Sequence, residues 1–202
     1  MATTEIPSEL AVKIGGSYED QKDMFGDLIM LLIMIIILVY IVMASQFESF
    51  MSPFVIMFSI PFAFVGVLLG LFVTGTPLGA MGMIGILILM GIVVKNGIVL
   101  IDYTILMRER GKSVAEASVI AARSRLRPIL MTTLTTVLGM IPMAVGQGEG
   151  SEMWRSLGMV VAWGLSISTL VTLVIIPTVY ASMASWQERR AARKAAKKLA
   201  KA

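Results

Sequence analysis

Apolar residues fall along this chain in long unbroken runs, not at every second position and not on one face of a helical period. An element at a water boundary shows a polar face at its own period, so runs without such a face belong where the surroundings are apolar. The first run is Leu28–Ala44, made of Leu, Ile, Met and Val without a charge. Gln46–Pro53 interrupts it, and a second run follows over Phe54–Val73, with Pro61 inside it predicting a kink. Thr74–Gly79 has the Gly and Pro content of a turn. The third run, Ala80–Leu106, carries two charges, Lys95 and Asp102. Met107–Arg127 is polar, and within it Ser113-Val-Ala-Glu116 has the form of a capping box, predicting a short amphipathic helix to about Ser124. Pro128 predicts the start of a fourth run ending at Val145. Gly146–Gly150 reads as a flexible loop, and Ser156–Met183 is the fifth run, with Pro177 late in it.

A hydrocarbon core about 30 Å thick needs roughly 20 residues of helix to cross it. The pattern therefore predicts an all-α integral membrane protein with about five transmembrane helices, near 27–46, 54–73, 80–106, 128–146 and 156–183, plus a short cytoplasmic amphipathic helix. Residues 1–26 are expected to form an extracytoplasmic lead-in, 27–186 the membrane domain and 187–202 a basic cytoplasmic tail.

Composition narrows the chemistry. Hydrophobic residues make up 57% of the chain and charged ones 15%, more apolar surface than a soluble domain of this length can hide. There is no Cys and no His, which removes thiol nucleophiles, disulfides, imidazole proton shuttles and His-based metal sites. The 17 Met residues are scattered without a repeated pair at ligand spacing, as gap-fillers are. No catalytic triad, paired-carboxylate site or phosphate loop occurs, so neither enzyme activity, nor a cofactor, nor a metal is expected. The polar start holds Glu5, Glu9, Glu19, Asp20, Asp23 and Asp27 and lacks a basic region followed by a short apolar core, so it does not read as a cleavable signal peptide.

Lys and Arg set the orientation. Arg108, Arg110, Lys112, Arg123, Arg125 and Arg127 follow the third run, and Arg189, Arg190, Arg193, Lys194, Lys197, Lys198 and Lys201 lie in the tail. With five crossings these two segments share a side, which the positive-inside rule makes cytoplasmic. The other side has only Lys13, Lys22 and Arg155. The tail suits anionic headgroups, at about 1 kcal/mol per Lys or Arg near the surface, and no nucleic-acid partner is expected.

One residue inside the apolar runs stands out. Lys95 falls in the middle third of Ala80–Leu106, where an ammonium costs several kcal/mol on insertion scales unless it is paired or hydrated. Asp102 shares its helix face but lies about 10 Å further along the axis, too far for a direct pair without long side-chain reach. The lysine either carries function or snorkels toward the interface. Asn96 adjoins it with a donor and an acceptor. Thr132 and Thr136 share a face of the fourth run, where their hydroxyls either bond to their own helix or hydrate a polar core.

Several segments together resemble a known family. They are Met43-Ala-Ser-Gln-Phe-Glu-Ser-Phe50, Gly91-Ile-Val-Val-Lys-Asn-Gly-Ile-Val-Leu-Ile-Asp102, Arg125-Leu-Arg-Pro-Ile-Leu-Met-Thr132, Gly139-Met-Ile-Pro-Met143 and Gly148-Glu-Gly-Ser-Glu152. With Ile14-Gly-Gly-Ser-Tyr-Glu-Asp-Gln21 as lead-in, the chain is similar to the C-terminal membrane half of a resistance-nodulation-division efflux permease of the drug-exporting hydrophobe/amphiphile branch. Only the basic tail lies outside the resemblance. In that family a proton moves through a charged cluster in the membrane, coupled to large periplasmic domains that expel amphiphiles. The resemblance implies a proton relay in which Lys95 is the cation, Thr132 a polar neighbour and Arg125 a supporting cation, with Asn96 and Asp102 beside them. It also implies residence in the bacterial inner membrane. The family's paired aspartates are absent, and Lys95-Asn96 stands at the matching place. A separate membrane polypeptide is therefore expected to supply the acidic relay residues and the periplasmic domains. The alternative is a non-transporting accessory or scaffold subunit of another complex that retains the half fold. A small self-assembling channel would gather several Lys95 residues without countercharge, which electrostatics disfavours.

Overall fold

The computed structural model describes residues 17–146, 148 and 150–199. They form six helices: α1 (Ser17–Phe47), α2 (Met51–Met57), α3 (Ser59–Thr74), α4 (Ala80–Glu109), α5 (Val114–Val145) and α6 (Ser151–Leu199). Five stretches are long and apolar enough to cross a membrane, because α2 and α3 together make one crossing, Met51–Thr74. The protein is an all-α, multi-pass membrane protein. Part of the lead-in resemblance, Ile14–Gly16, lies outside the described residues, as do Gln147 and Glu149 of the Gly-rich loop.

The kink expected at Pro61 is the break between α2 and α3. Pro61 has no N–H for the Met57 carbonyl and its ring crowds that turn, so helical bonding lapses at Phe58. The Phe58 N–H bonds to the Val55 carbonyl at 3.2 Å, and the Ser59 hydroxyl donates to the Ile56 carbonyl at 2.6 Å. The chain leaves α3 through Gly75, whose φ of 63° is the left-handed conformation that terminates many helices. The capping box is present: the Ser113 hydroxyl accepts from the Glu116 N–H, and the Glu116 carboxylate accepts from the Ser113 N–H, each at 3.3 Å.

Pro128 starts no new helix. The amphipathic segment and the fourth crossing are one continuous element, α5, with Pro128 and Pro142 inside it. A proline forfeits one helical bond and crowds one carbonyl. Here the helix-favouring residues on both sides and the packing of α5 carry the helix through. The stretch after residue 187 likewise continues α6, through Leu199.

α6 is the organising helix and packs against α3, α4 and α5. Small residues set the closest approaches. A Cβ at Gly70 would run into the Trp163 side chain, and one at Gly82 into the Ser156 hydroxyl. Gly82 against Ser156, Gly85 against Val160 and Leu89 against Gly164 advance together, so α4 and α6 run parallel. Gly158 against Ala144, and Thr133 against Thr169, step in opposite senses, so α5 and α6 are antiparallel. Among the described residues α1 packs against α2 and α4 alone, and it leaves Ile29, Met30, Ile33, Met34, Ile37, Leu38, Ile41 and Val42 exposed. In a bilayer those side chains face lipid or another helix.

Candidate functional site

α4 is two-sided. Its buried side runs through Leu89, Val93, Asn96, Gly97 and Leu100, while Ile88, Gly91, Lys95 and Asp102 lie exposed at helical spacing along another. Lys95 and Asp102 thus belong to one stripe, two turns and about 10 Å apart. No ion pair joins them, and none joins Lys95 to any other described carboxylate.

α5 is brought level with this stripe by one contact. The Arg125 guanidinium carbon sits 4.7 Å from the centroid of the Tyr103 ring on α4, a cation–π arrangement. Arg125 Nε is buried there without a hydrogen-bond partner. Two turns from that contact, backward along α4 and forward along antiparallel α5, stand Lys95–Asn96 and Thr132–Thr133. The expected residues Lys95, Asn96 and Thr132 therefore share one depth, with Asp102 and Arg125 near the next level. Thr132 is exposed, and its hydroxyl donates to the Pro128 carbonyl at 3.0 Å; the Thr136 hydroxyl donates to the Thr132 carbonyl at 2.9 Å. Both hydroxyls are thus engaged on their own helix.

Behind this open face lies a buried polar layer at the same depth. Asn96 is 8% exposed and Thr133 6%. The Thr133 and Thr169 hydroxyls share a hydrogen bond of 3.1 Å between α5 and α6. Ser168 and Thr172 are buried on α6 as well. Each residue of the open face, Lys95 and Thr132, thus has a sequence neighbour, Asn96 and Thr133, pointing inward. Toward the far end of α4, Arg108 Nη1 donates to the Tyr180 hydroxyl at 3.3 Å. No group of three or more His, Cys, Asp or Glu side chains comes together among the described residues. The arrangement offers an exposed cation on α4, hydroxyls of α5 engaged on their own helix, and no ion pair to that cation among the described residues.

The family described as AcrB/AcrD/AcrF matches residues 1–184. This chain belongs to that family. It is a resistance-nodulation-division permease segment. It is 41% identical over 185 residues to the swarming motility protein SwrC of Bacillus subtilis (strain 168), covering 91% of this chain and 18% of that protein. It is 40% identical over 122 residues to the cobalt-zinc-cadmium resistance protein CzcA of Cupriavidus metallidurans, covering 60% of this chain and 12% of that protein. It is 41% identical over 132 residues to the multidrug resistance protein MdtC of Erwinia tasmaniensis, covering 65% and 13%. A solved heavy metal efflux pump superposes with a TM-score of 0.76 at 32% identity, over 84% of this chain and 17% of the pump chain. The chain thus spans less than a fifth of the length of each of these relatives. Their names point in different directions: swarming motility for one, cobalt-zinc-cadmium resistance and heavy metal efflux for two, and multidrug resistance for another.

Within this AcrB/AcrD/AcrF segment, the layer formed by Thr133, Ser168, Thr169 and Thr172 is the part that sequence reasoning passed over. Its signal was present: Thr172 follows Ser168 and Thr169 by about one turn inside a largely apolar run. Isolated hydroxyls in spans so often bond to their own helix that spacing alone does not separate an interhelical pair from a self-satisfied one.

Proposed function

We propose that this chain is the C-terminal membrane half of a proton-driven exporter of amphiphilic compounds, working with a second half-domain that supplies acidic relay residues and periplasmic domains. The observation that carries the reading is Lys95, exposed on α4 level with Thr132 and unpaired with any described carboxylate. A lone ammonium facing hydrocarbon costs about 2.5–3.5 kcal/mol on insertion scales. Carboxylates placed against this stripe would remove that cost, and proton binding to them would loosen the pair, which makes the contact a switch. Lys95 is then the cation of the relay, with Asn96 and Thr132 its polar neighbours, Arg125 a supporting cation and Asp102 an acid nearer the membrane surface. The amphiphilic cargo in this reading rests on the resemblance to the drug-exporting branch and on the likeness to the multidrug resistance protein MdtC.

We place the protein in the bacterial inner membrane, with Met1–Met24 and Gly146–Arg155 outside and Arg108–Arg127 and the tail in the cytoplasm. Single cysteines at Ser17, Ser113, Ser151 and Ser185 of this Cys-free chain test that with an impermeant thiol reagent in intact cells. Labelling at Ser113→Cys without labelling at Ser17→Cys overturns the orientation.

Function is tested in liposomes under an imposed pH gradient, with a fluorescent amphiphile as cargo. Dye movement is expected only when the chain is reconstituted with a polypeptide carrying the acidic half-domain. Gradient-driven transport by this chain alone would defeat the reading. Isolation of the chain in a stable complex with unrelated proteins, together with failure to transport alongside the half-domain, would establish the scaffold alternative.

A further inference from the structure

At the end of the bundle where α4 gives way to α5, a groove of about 480 Å³ opens between α5 and α6. Its walls include Ala115, Val119 and Ala122 on α5 and Val174, Pro177 and Ala181 on α6. The alanines leave the space that larger side chains would fill. Val119 is 53% exposed and Val174 68%, so the apolar walls are open to whatever surrounds the bundle. The volume falls within the range of about 300–1,000 Å³ typical of small-molecule sites.

The polar groups of the lining are not equivalent. The Ser118 hydroxyl donates to the Val114 carbonyl at 2.9 Å and the Thr178 hydroxyl to the Val174 carbonyl at 2.7 Å, so both are engaged on their own helices. The Arg123 guanidinium has no hydrogen bond or ion pair to a described residue. An adjoining groove shares Ala115 and Val119 and adds Lys112, beside a Glu116 carboxylate that already accepts from the Ser113 N–H. Depth follows from α6. Five residues beyond Ala181, Trp186 is 52% exposed, with the Arg190 guanidinium carbon 3.6 Å from its ring centroid. Exposed indoles of this kind settle at headgroup level, so the groove begins about 8 Å beneath it at helical rise. Side chains on a helix lean toward its N-terminus, which carries the Arg123 head from the inner end of the groove toward the membrane surface.

We propose that this groove holds one anionic phospholipid of the leaflet on the Arg108–Arg127 side, its phosphate on Arg123 and the start of an acyl chain between α5 and α6. An unpaired cation just beneath the headgroups favours an anion brought to the same depth, and such a lipid carries its phosphate joined to an apolar chain. A helix of another protein would need an acid at that one level to answer Arg123, and a zwitterionic lipid brings an ammonium of its own. The site stands on the groove and its charge and does not rest on the transport reading, in which Arg123 has no part.

The test is native mass spectrometry of the full chain, released from its membrane in a neutral detergent and then titrated with dioleoylphosphatidylglycerol or dioleoylphosphatidylcholine. The released chain should carry the mass of one anionic phospholipid. The first phosphatidylglycerol should bind about fivefold tighter than the first phosphatidylcholine, the factor expected of one basic residue near the headgroups. Arg123→Gln should erase that preference. Arg110→Gln removes the same charge from an exposed position outside the groove and should keep it. Ala122→Phe fills the groove and should weaken binding of both lipids, as should Ala115→Phe at an exposed position where folding is not at stake. Millimolar inorganic phosphate should not displace the lipid, because the acyl chain contributes to its hold. No preference for phosphatidylglycerol, equal losses in Arg123→Gln and Arg110→Gln, unchanged binding in both Phe variants, release by phosphate, or a polypeptide held in place of the lipid would each overturn the proposal.

Discussion

Along α4, Gly82, Gly85 and Gly97 lie against side chains of α6 and α2, whereas Gly91 has nothing within 4 Å of where a Cβ would stand, and Lys95, one turn on, is exposed. The same division runs along α5: Gly139 is open while Ala144 is buried against Gly158, and Thr132 is exposed while Thr133 is bonded to α6. One side of each helix is completed by this chain and the other is not. The closed side obeys the rules of any helical core, where small residues permit close approach and polar groups bond across helices. The open side carries the charge, and its chemistry is unfinished among the described residues. Structure and proposed function therefore sit on opposite faces of the same helices, and substitutions should separate them.

Lys95→Met should produce the largest effect and the cleanest separation. Removing an ammonium from an apolar face does not cost stability, so insertion and unfolding should match the parent. Proton-driven dye export by the chain reconstituted with its acidic half-domain should fall to the background of empty liposomes. Normal export by Lys95→Met would reduce the lysine to snorkelling and remove the open face from the mechanism.

A pair of glycine substitutions probes the two sides directly. Gly70→Ala places a methyl group into the Trp163 side chain, and overpacking of this kind costs about 1–3 kcal/mol. Gly91→Ala meets open space, and Ala is favoured over Gly in a helix by up to about 1 kcal/mol, so the chain alone should be unharmed or slightly more stable. Equal losses at the two positions, measured by unfolding in bicelles, would show that the open face is packed after all.

The neighbouring threonines make the same comparison with hydrogen bonds. Thr133→Val leaves the Thr169 hydroxyl buried without its partner and should cost about 1 kcal/mol, typical of interhelical bonds in membranes. Thr132→Val loses only a bond to its own helix and should stay within about 0.5 kcal/mol of the parent, as surface changes do. Reversed magnitudes would contradict the assignment of inner and outer layers. The smallest expected effect is at the register contact, where Arg125→Lys keeps the charge but loses the flat face stacked on Tyr103. That should cost about 0.5–1 kcal/mol, and the loss should disappear in a Tyr103→Leu background.

The crossings, the kink at Pro61, the Ser113–Glu116 capping box and the prominence of Lys95 were all legible in the linear order of residues, because each follows from local rules. An apolar run must cross lipid, a proline must forfeit a helical bond, and a charge in mid-run must be answered. The continuity of α5 through Pro128 was not legible. Local chemistry weakens a helix there without ending it, and the packing of α5 on α4 and α6 settles the outcome. Nor could spacing reveal that Asn96 faces inward while Lys95 faces out, or that Thr133 and not Thr132 bonds to α6. Adjacent helical residues differ by about 100° in direction, and which direction is interior depends on where the other helices stand. An apolar run has no polar face to mark its outside, so in this chain the spans were written in the sequence, while the inner and outer sides of each span were decided by the bundle.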